Sequence, residues 1–115
     1  EVAGTKKEET SEVIRKRILV AHELQKERLK EFELSFNSQM PVELTEEYCM
    51  LDAKKKAYMK QIYTSYQLSA RAYHKILKVA RTIADLSESR EVEIRHLNEA
   101  VCYRTIDKKF WEQTV

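Results

Sequence analysis

The scarcity of glycine and proline is the strongest constraint on this chain, which contains one of each, Gly4 and Pro41, in 115 residues. Sheets and hairpins need turn residues that accept a positive φ or fix a bend, and this chain supplies almost none. Leu, Ile, Ala, Lys and Glu are abundant, and the charged fraction of 35% suits helices with one solvated side. The sequence therefore predicts an all-α protein, a bundle of four to five helices with a long N-terminal helix.

The single glycine also excludes a nucleotide site built by this chain alone, because phosphate loops and dinucleotide fingerprints need several glycines. No nucleophile is paired with a base, so a complete enzyme is not expected. His22, His74 and His96 stand apart from cysteines and paired carboxylates, so no metal site is predicted. Cys49 and Cys102 lie singly on apolar helical stretches and are predicted to be reduced core residues.

Net charge and hydropathy limit the classes of partner that the chain could bind. A formal net charge of +2 is too close to neutral to indicate nucleic-acid binding by itself. No apolar run approaches membrane-spanning length, and the charged residues 1–9 do not form a signal peptide. We therefore expect a cytoplasmic protein with no membrane partner. The absence of an initiating Met suggests a piece of a longer protein.

The chain divides into four parts. Residues 1–9 are polar and predict a flexible lead-in. Residues 10–36 predict a long helix, part of which we expect to project from the domain or to bridge two bodies. Residues 37–108 predict the helical body. Residues 109–115 form a C-terminal tail, whose aromatic side chains either fold back on the core or belong to another surface; they are Phe110 and Trp111.

Caps and apolar spacing predict the individual helices. Either Thr10 or Ser11 caps the long helix, whose apolar side holds Ile14, Ile18, Ala21, Leu29 and Phe32. In the body, Thr45 is placed to cap a short helix over residues 46–51, and Asp52 to cap a helix that reaches about Tyr66. The last helix is predicted over residues 96–104, after a short extended lead.

The stretch around which the rest is organised is SARAYHKILKVARTIADL, residues 69–86. At 100° per residue its apolar side chains cover about half of the helix circumference, which is wide enough to be packed from several sides. The predicted core includes Ala72, Ile76, Val79 and Ile83, with Leu97 of the last helix. The remaining narrow arc predicts a solvent-facing basic ridge of Arg71, His74, Lys75, Lys78, Arg81, Thr82 and Asp85.

Arg71 has an unfavourable position in the predicted central helix. Ser69 is a good N-cap, which places Arg71 in the first turn, where the helix dipole disfavours a cation. The residues three and four positions on are His74 and Lys75, so no nearby acid compensates it. Arg71 is therefore either a group that awaits an anion or a solvated surface residue.

The central stretch, followed after a polar turn by HLNEAVCYR, closely resembles the C-terminal domain of the magnesium-chelatase-like AAA+ ATPases, in particular the ComM competence-protein branch. The resemblance covers about residues 10–108. The upstream run IRKRILVAHELQKER is similar to the arginine-rich helix that leaves the ATPase core in this family. The matching positions are Arg15, Arg17, Ala21, Gln25 and Arg28, whereas His22 stands where an arginine is more usual.

The resemblance implies a function for the whole. This region of the family is a helical lid after a nucleotide-binding α/β domain, and the arginine of the Ser-Ala-Arg motif, here Arg71, is the sensor 2 residue. ATP and Mg²⁺ would be cofactors of the full-length protein, whose P-loop lies upstream, and this chain alone would bind neither. Further phosphate or subunit-interface contacts are then expected from Arg15, Arg17, Lys75 and Arg104.

The resemblance also implies partners. Relatives assemble as rings, mostly hexameric, and the ComM branch favours DNA remodelling over metal insertion into porphyrin, with Lys78 and Arg81 as candidate DNA contacts. Arg71 acts on the nucleotide of its own subunit or of the next one. Arg104 contacts a partner or pairs with Asp107. The alternative is a stand-alone helical module that binds DNA or a protein through the basic ridge.

Overall fold

The computed structural model of the protein describes residues 10–106. Over this range the elements are α1 (Ser11–Leu29), two 3-10 turns (Lys30–Phe32 and Asn37–Gln39), α2 (Val42–Cys49), α3 (Ala53–Ser65), α4 (Ala70–Leu86) and α5 (Ile94–Ile106). No strand occurs between residues 10 and 106, and the predicted all-α class is confirmed. Within the same range, no helix has the length and apolar character needed to cross a membrane.

Helix α4 lies at the centre of the domain, as the sequence predicts. Ser69 begins it, because the Ser69 hydroxyl accepts a hydrogen bond from the Ala72 amide at 3.0 Å. Helices α1, α2 and α5 and the second 3-10 turn pack around it. The predicted core residues are buried except Val79, which is half-buried at the edge of the core. The core cluster consists of Cys49, Met59, Leu68, Ala72, Ile76, Leu77, Ala80, Ile83, Ala84, Val92, Leu97, Ala100 and Val101.

The first helix is shorter than predicted. Helix α1 ends at Leu29, one 3-10 turn follows, and Glu33 takes a left-handed conformation with φ of 59°. The Leu34 amide donates to the Leu29 carbonyl at 3.3 Å, a bond that closes helix C-termini. The chain then reverses, and the buried Asn37 donates its backbone amide to Gln25 Oε1 at 2.9 Å. This contact of Asn37 with α1 therefore fixes the end of residues 30–36, the segment that was predicted to continue the helix.

Only part of the apolar side predicted for this helix is buried. Ala21 and Leu29 pack inside, whereas Ile14, Ile18 and Phe32 remain exposed. Every residue from 11 to 20 is exposed. The N-terminal half of α1 therefore adds no buried residue to the core, but Arg17 and Ile18 line grooves with Leu86 of α4, and the projection of this helix stays a prediction.

Two helix starts differ from the prediction. Helix α2 begins at Val42, directly after Pro41, whose φ of −72° suits the residue before a helix. Thr45 lies inside α2 instead of capping it, and its hydroxyl donates to the Pro41 carbonyl at 3.0 Å. Helix α5 begins at Ile94 rather than at residue 96. Asp52 caps α3 as predicted.

Four described residues have positive φ, and none is a glycine. They are Glu33, Met50, Gln67 and Glu88. At Gln67 the φ is 53°, and the next residue closes α3 with a bond from the Leu68 amide to the Tyr63 carbonyl at 3.0 Å. Left-handed backbone costs a residue with a Cβ roughly 1–2 kcal/mol. The scarcity of glycine thus leaves strain at the ends of these helices.

Gln67→Gly is expected to raise the free energy of unfolding by about 1 kcal/mol, because glycine removes most of this strain at an exposed position. Urea denaturation measures the change. The matched control is Ser65→Gly in the last turn of α3, where helical backbone is kept and glycine should cost up to about 1 kcal/mol. A loss of stability in Gln67→Gly would contradict the left-handed, strained backbone conformation of Gln67.

Candidate functional site

The start of α4 presents a cation that no acidic side chain among the described residues neutralises. Arg71 is exposed in the first turn, which contains no acidic residue. Within residues 10–106, no ion pair forms at Arg71. The N-terminal ends of helices favour anions, so the local field and the guanidinium both attract negative charge. A phosphate or carboxylate is the complementary ligand.

Arg71 lines a cleft of about 480 Å³ together with two lysines. The lining residues are Ser38, Arg71, Lys75, Lys78, Val79, Thr82 and Ile83. The Lys78 ammonium donates to the Ser38 carbonyl at 3.4 Å. Burial lowers the pKa of Lys78, and the neighbouring Lys75 lowers it further. The cleft therefore holds crowded positive charge above an apolar floor, which suits a polyanion.

The predicted ridge does not extend along the whole helix, because Arg81 is buried. Its side chain is 2% exposed, and its guanidinium donates to the carbonyls of Tyr48, Ser89 and Arg90 at 2.9 to 3.1 Å. The placement of Arg81 on a solvent-facing ridge is wrong. Arg81 instead joins α2 to the turn after α4, so its predicted contact with DNA is not compatible with its position.

Asp85 was also predicted on the ridge and is 1% exposed. Arg28 of α1 binds its carboxylate with two forked hydrogen bonds, at 2.8 and 2.9 Å. Arg81 contacts the same carboxylate at 3.1 Å, and the Asn37 amide nitrogen donates to it at 2.9 Å. This buried charge cluster, Arg28, Asn37, Arg81 and Asp85, fastens α1 and the loop after it to α4.

Helical periodicity does not predict this cluster, because period alone places charged side chains on the solvent side. A signal was present in the resemblance, which marked Gln25 and Arg28 among the matching positions. Gln25 accepts the Asn37 backbone amide, and Arg28 binds Asp85. Matching positions on an otherwise solvated helix therefore pointed to residues that fix the helix in place.

The other predicted arginines do not gather at Arg71. Arg17 lines a groove with Leu86, the last residue of α4. Because a helix of 17 residues is about 25 Å long at 1.5 Å per residue, this groove lies at the opposite end of α4 from Arg71. Arg15 is exposed on α1. Arg104 is buried, so its expected phosphate or partner contact does not match its position. Of the predicted cations, the structure brings Lys75 and Lys78 to Arg71.

The histidines of the described residues have contacts of their own, with residues other than Arg71. Within residues 10–106, no group of three or more His, Cys, Asp or Glu residues could hold a metal ion. His74 Nδ1 lies 3.0 Å from the Ala70 carbonyl oxygen, and its Nε2 lies 3.7 Å from a Glu46 carboxylate oxygen. His96 is buried, and this burial lowers its pKa.

The two cysteines have different environments. Cys49 is a buried core residue, as predicted, and its thiol donates to the Leu77 carbonyl at 3.4 Å. Burial raises the pKa of Cys49 to about 12, so it is a poor nucleophile. Cys102 is exposed, and its prediction as a core residue is wrong because it lies on the outer side of α5. The predictions for residues 1–9, the pair of Arg104 with Asp107, and Phe110 and Trp111 lie outside the described residues.

Comparison with protein families matches residues 8–104 to the family described as magnesium chelatase, subunit ChlI C-terminal. The chain is 36% identical over 102 residues to the uncharacterized protein YifB of Salmonella typhimurium. This match covers 89% of this chain and 19% of that protein. It is 38% identical over 98 residues to competence protein ComM of Haemophilus influenzae, a match that covers 85% of this chain and 18% of that protein. It is 33% identical over 100 residues to the uncharacterized protein YifB of Escherichia coli, a match that covers 87% of this chain and 19% of that protein. The chain thus spans about a fifth of the length of these relatives.

Proposed function

Because this chain belongs to the family of the C-terminal domain of magnesium chelatase subunit ChlI and is a helical lid of the AAA+ type, we propose that it senses ATP in a longer motor protein, with Arg71 as its sensor 2 residue. ATP and Mg²⁺ are the cofactors of that longer protein. The lid supplies a fixed cation for the γ-phosphate, and the part that precedes it in the chain supplies the phosphate loop.

One observation carries this proposal: Arg71 is exposed in the first turn of α4, without an acidic partner among the described residues, beside Lys75 and Lys78. A guanidinium offers a fork of donors that matches phosphate oxygens. The adjacent helix N-terminus favours negative charge. The residues present therefore fit a nucleotide phosphate, and the charge that the helix disfavours acquires a partner.

We further propose that the motor remodels DNA in the cytoplasm as a ring, mostly hexameric in relatives of this type. The relative from Haemophilus influenzae is named a competence protein, which favours DNA processing over metal insertion. In a ring, the lid lies at a subunit boundary, and Arg71 serves its own subunit or the neighbouring one. Arg15 and Arg17 are exposed on α1 and are the candidate subunit contacts.

The three cations in one cleft also favour a second candidate, a stand-alone module that binds DNA or another polyanion. In that case Arg71, Lys75 and Lys78 would contribute alike. The gene sequence before residue 1 discriminates between the two functions. A glycine-rich Walker motif there supports the motor, because the present chain has only Gly4 to offer.

Isothermal titration with ATP and Mg²⁺ tests whether the phosphate-binding loop lies outside this domain. The 115-residue chain is expected to bind no more tightly than about 1 mM, since it has no glycine-rich loop to hold phosphates. The full-length protein is expected to bind in the micromolar range. Micromolar binding by the 115-residue chain would contradict the proposal, because the nucleotide site would then lie within this domain.

A further inference from the structure

Lys78 has the surroundings of a reactive lysine. It is half-buried on the side of α4 that lines the cleft with Arg71 and Lys75. No acidic side chain among residues 10–106 forms an ion pair with it. Burial and the neighbouring Lys75 both disfavour the ammonium form, and they lower the pKa of Lys78. Lys78 therefore holds a larger fraction of neutral amine than an exposed lysine does.

The amine of Lys78 is oriented by a contact that does not use its lone pair. Lys78 Nζ donates a hydrogen bond to the Ser38 carbonyl oxygen at 3.4 Å. A neutral amine keeps N–H groups for this bond, and its lone pair is then free to attack an electrophile. The other residues that line this part of the cleft are uncharged: Val79, Thr82 and Ile83.

The cations beside Lys78 are placed to bind the phosphate of a small acyl donor. Lys75 lies three residues before Lys78, about 4.5 Å along the helix axis at 1.5 Å per residue. Arg71 lies one turn farther along and offers the forked donors that match phosphate oxygens. In an acyl phosphate a single oxygen joins the carbonyl carbon to the phosphorus. A phosphate held by Arg71 and Lys75 therefore places that carbon near Lys78.

We propose that Lys78 is a modification site, and that small acyl phosphates such as acetyl phosphate acylate it within this cleft. The Nζ lone pair forms a bond to the acyl carbon, and the bond from that carbon to the bridging oxygen breaks. The phosphate leaves with the electron pair and takes one proton from the nitrogen, so hydrogen phosphate is released. The acyl group ends as an amide on Lys78, and the step needs no further reagent.

Acylation changes the charge of the cleft. The amide is neutral, so the cleft retains Arg71 and Lys75 and loses one of its three positive charges. An anion is then held less strongly, and the modification lowers the affinity of the cleft for phosphate. This inference uses the attraction of the cleft for phosphate groups, and it goes beyond the proposed function because that phosphate need not belong to ATP.

Peptide mass spectrometry measures the acetylation of each lysine when acetyl phosphate is added to the 115-residue chain, which contains its own core. Lys26 of α1 and Lys54 of α3 are exposed outside the cleft and are the matched references. Lys78 is expected to react at least ~10-fold faster than either, because a bound donor and a neutral amine act together. Equal rates for Lys78, Lys26 and Lys54 would overturn the proposal.

A second reagent separates binding of the phosphate from reactivity of the amine. Arg71→Ala should slow the reaction of Lys78 with acetyl phosphate by about 10-fold, the value of a hydrogen bond to a charged group. It should not slow the reaction with N-hydroxysuccinimidyl acetate, which carries no phosphate. Lys75→Ala should slow both reactions, because Lys75 also lowers the pKa of Lys78.

Excess inorganic phosphate should compete with acetyl phosphate and leave the reaction with N-hydroxysuccinimidyl acetate unchanged. If neither inorganic phosphate nor Arg71→Ala slows the reaction with acetyl phosphate, the cleft does not bind the donor and the proposal fails. Equal slowing of both reagents by Arg71→Ala would also overturn it. None of these measurements involves ATP turnover, so they remain valid if Arg71 proves not to sense the nucleotide.

Discussion

Asp85→Ala is expected to lower the free energy of unfolding by about 3–5 kcal/mol, the range for breaking a buried ion pair from one side. The substitution leaves Arg28 and Arg81 without their shared carboxylate, and Arg81 is 2% exposed, so water cannot replace it. Asn37 loses an acceptor at the same time. A large part of the attachment of α1 to α4 is lost with this one side chain.

Urea denaturation of the 115-residue chain measures this loss. The matched control is Glu27→Ala, which removes an exposed pair with Lys30 at 3.0 Å and should cost less than ~0.5 kcal/mol. Asp85→Asn keeps the shape and some hydrogen bonds, so it should fold and lie between the two. A cost below about 1 kcal/mol for Asp85→Ala would mean that the cluster does not hold α1.

A double-mutant cycle separates the pair from the rest of the cluster. Arg28→Ala and Asp85→Ala should be strongly non-additive, because each removes the partner of the same forked contact. Arg81→Ala should couple to Asp85→Ala as well, through the 3.1 Å contact. Additive losses for Arg28 and Asp85 would contradict the forked contact between these two side chains.

The parts of the fold that the sequence predicted depend on local signals. Ser69 and Asp52 each precede a helix and accept a first-turn amide, which is a property of the neighbouring three residues. The buried side of α4 follows from its apolar period. Arg71 was placed correctly in the first turn by the same cap. Local chemistry was sufficient in each case.

The predictions failed where a residue distant in sequence determines whether a side chain is buried or where a helix ends. Asp85 and Arg28 are 57 residues apart, so nothing near Asp85 shows that it is buried. Periodicity assigns such charges to solvent, which is the correct default until a buried partner exists. The end of α1 was missed for a related reason, since Glu33 takes the left-handed conformation without being a glycine, and a contact between Asn37 and Gln25 holds the reversal.

Arg71→Ala in the full-length protein is expected to leave the fold intact, because it removes an exposed charge that the helix N-terminus disfavours. It should reduce ATP turnover by at least ~10-fold through lost stabilisation of charge on the transferred phosphoryl group. Arg71→Lys should restore little, because a point charge cannot reproduce the forked contact. Unchanged unfolding in urea would show that the loss is not structural.

The comparison must separate a nucleotide sensor from a nucleic-acid surface. Lys75→Ala and Lys78→Ala change the same cleft, one and two turns farther from the start of α4. Lys26→Ala removes an exposed lysine of α1 and serves as the control outside the cleft. A polyanion track would make the three cleft variants alike, and would make their effect depend on salt and on DNA.

ATP turnover of the full-length protein, measured for these variants with and without DNA, tests the central claim most directly. We expect Arg71→Ala to lose at least ~10-fold in both conditions, while Lys75→Ala and Lys78→Ala lose less and Lys26→Ala is unchanged. Equal losses for Arg71, Lys75 and Lys78 that appear only when DNA is present would contradict the assignment of Arg71 as the sensor of the nucleotide.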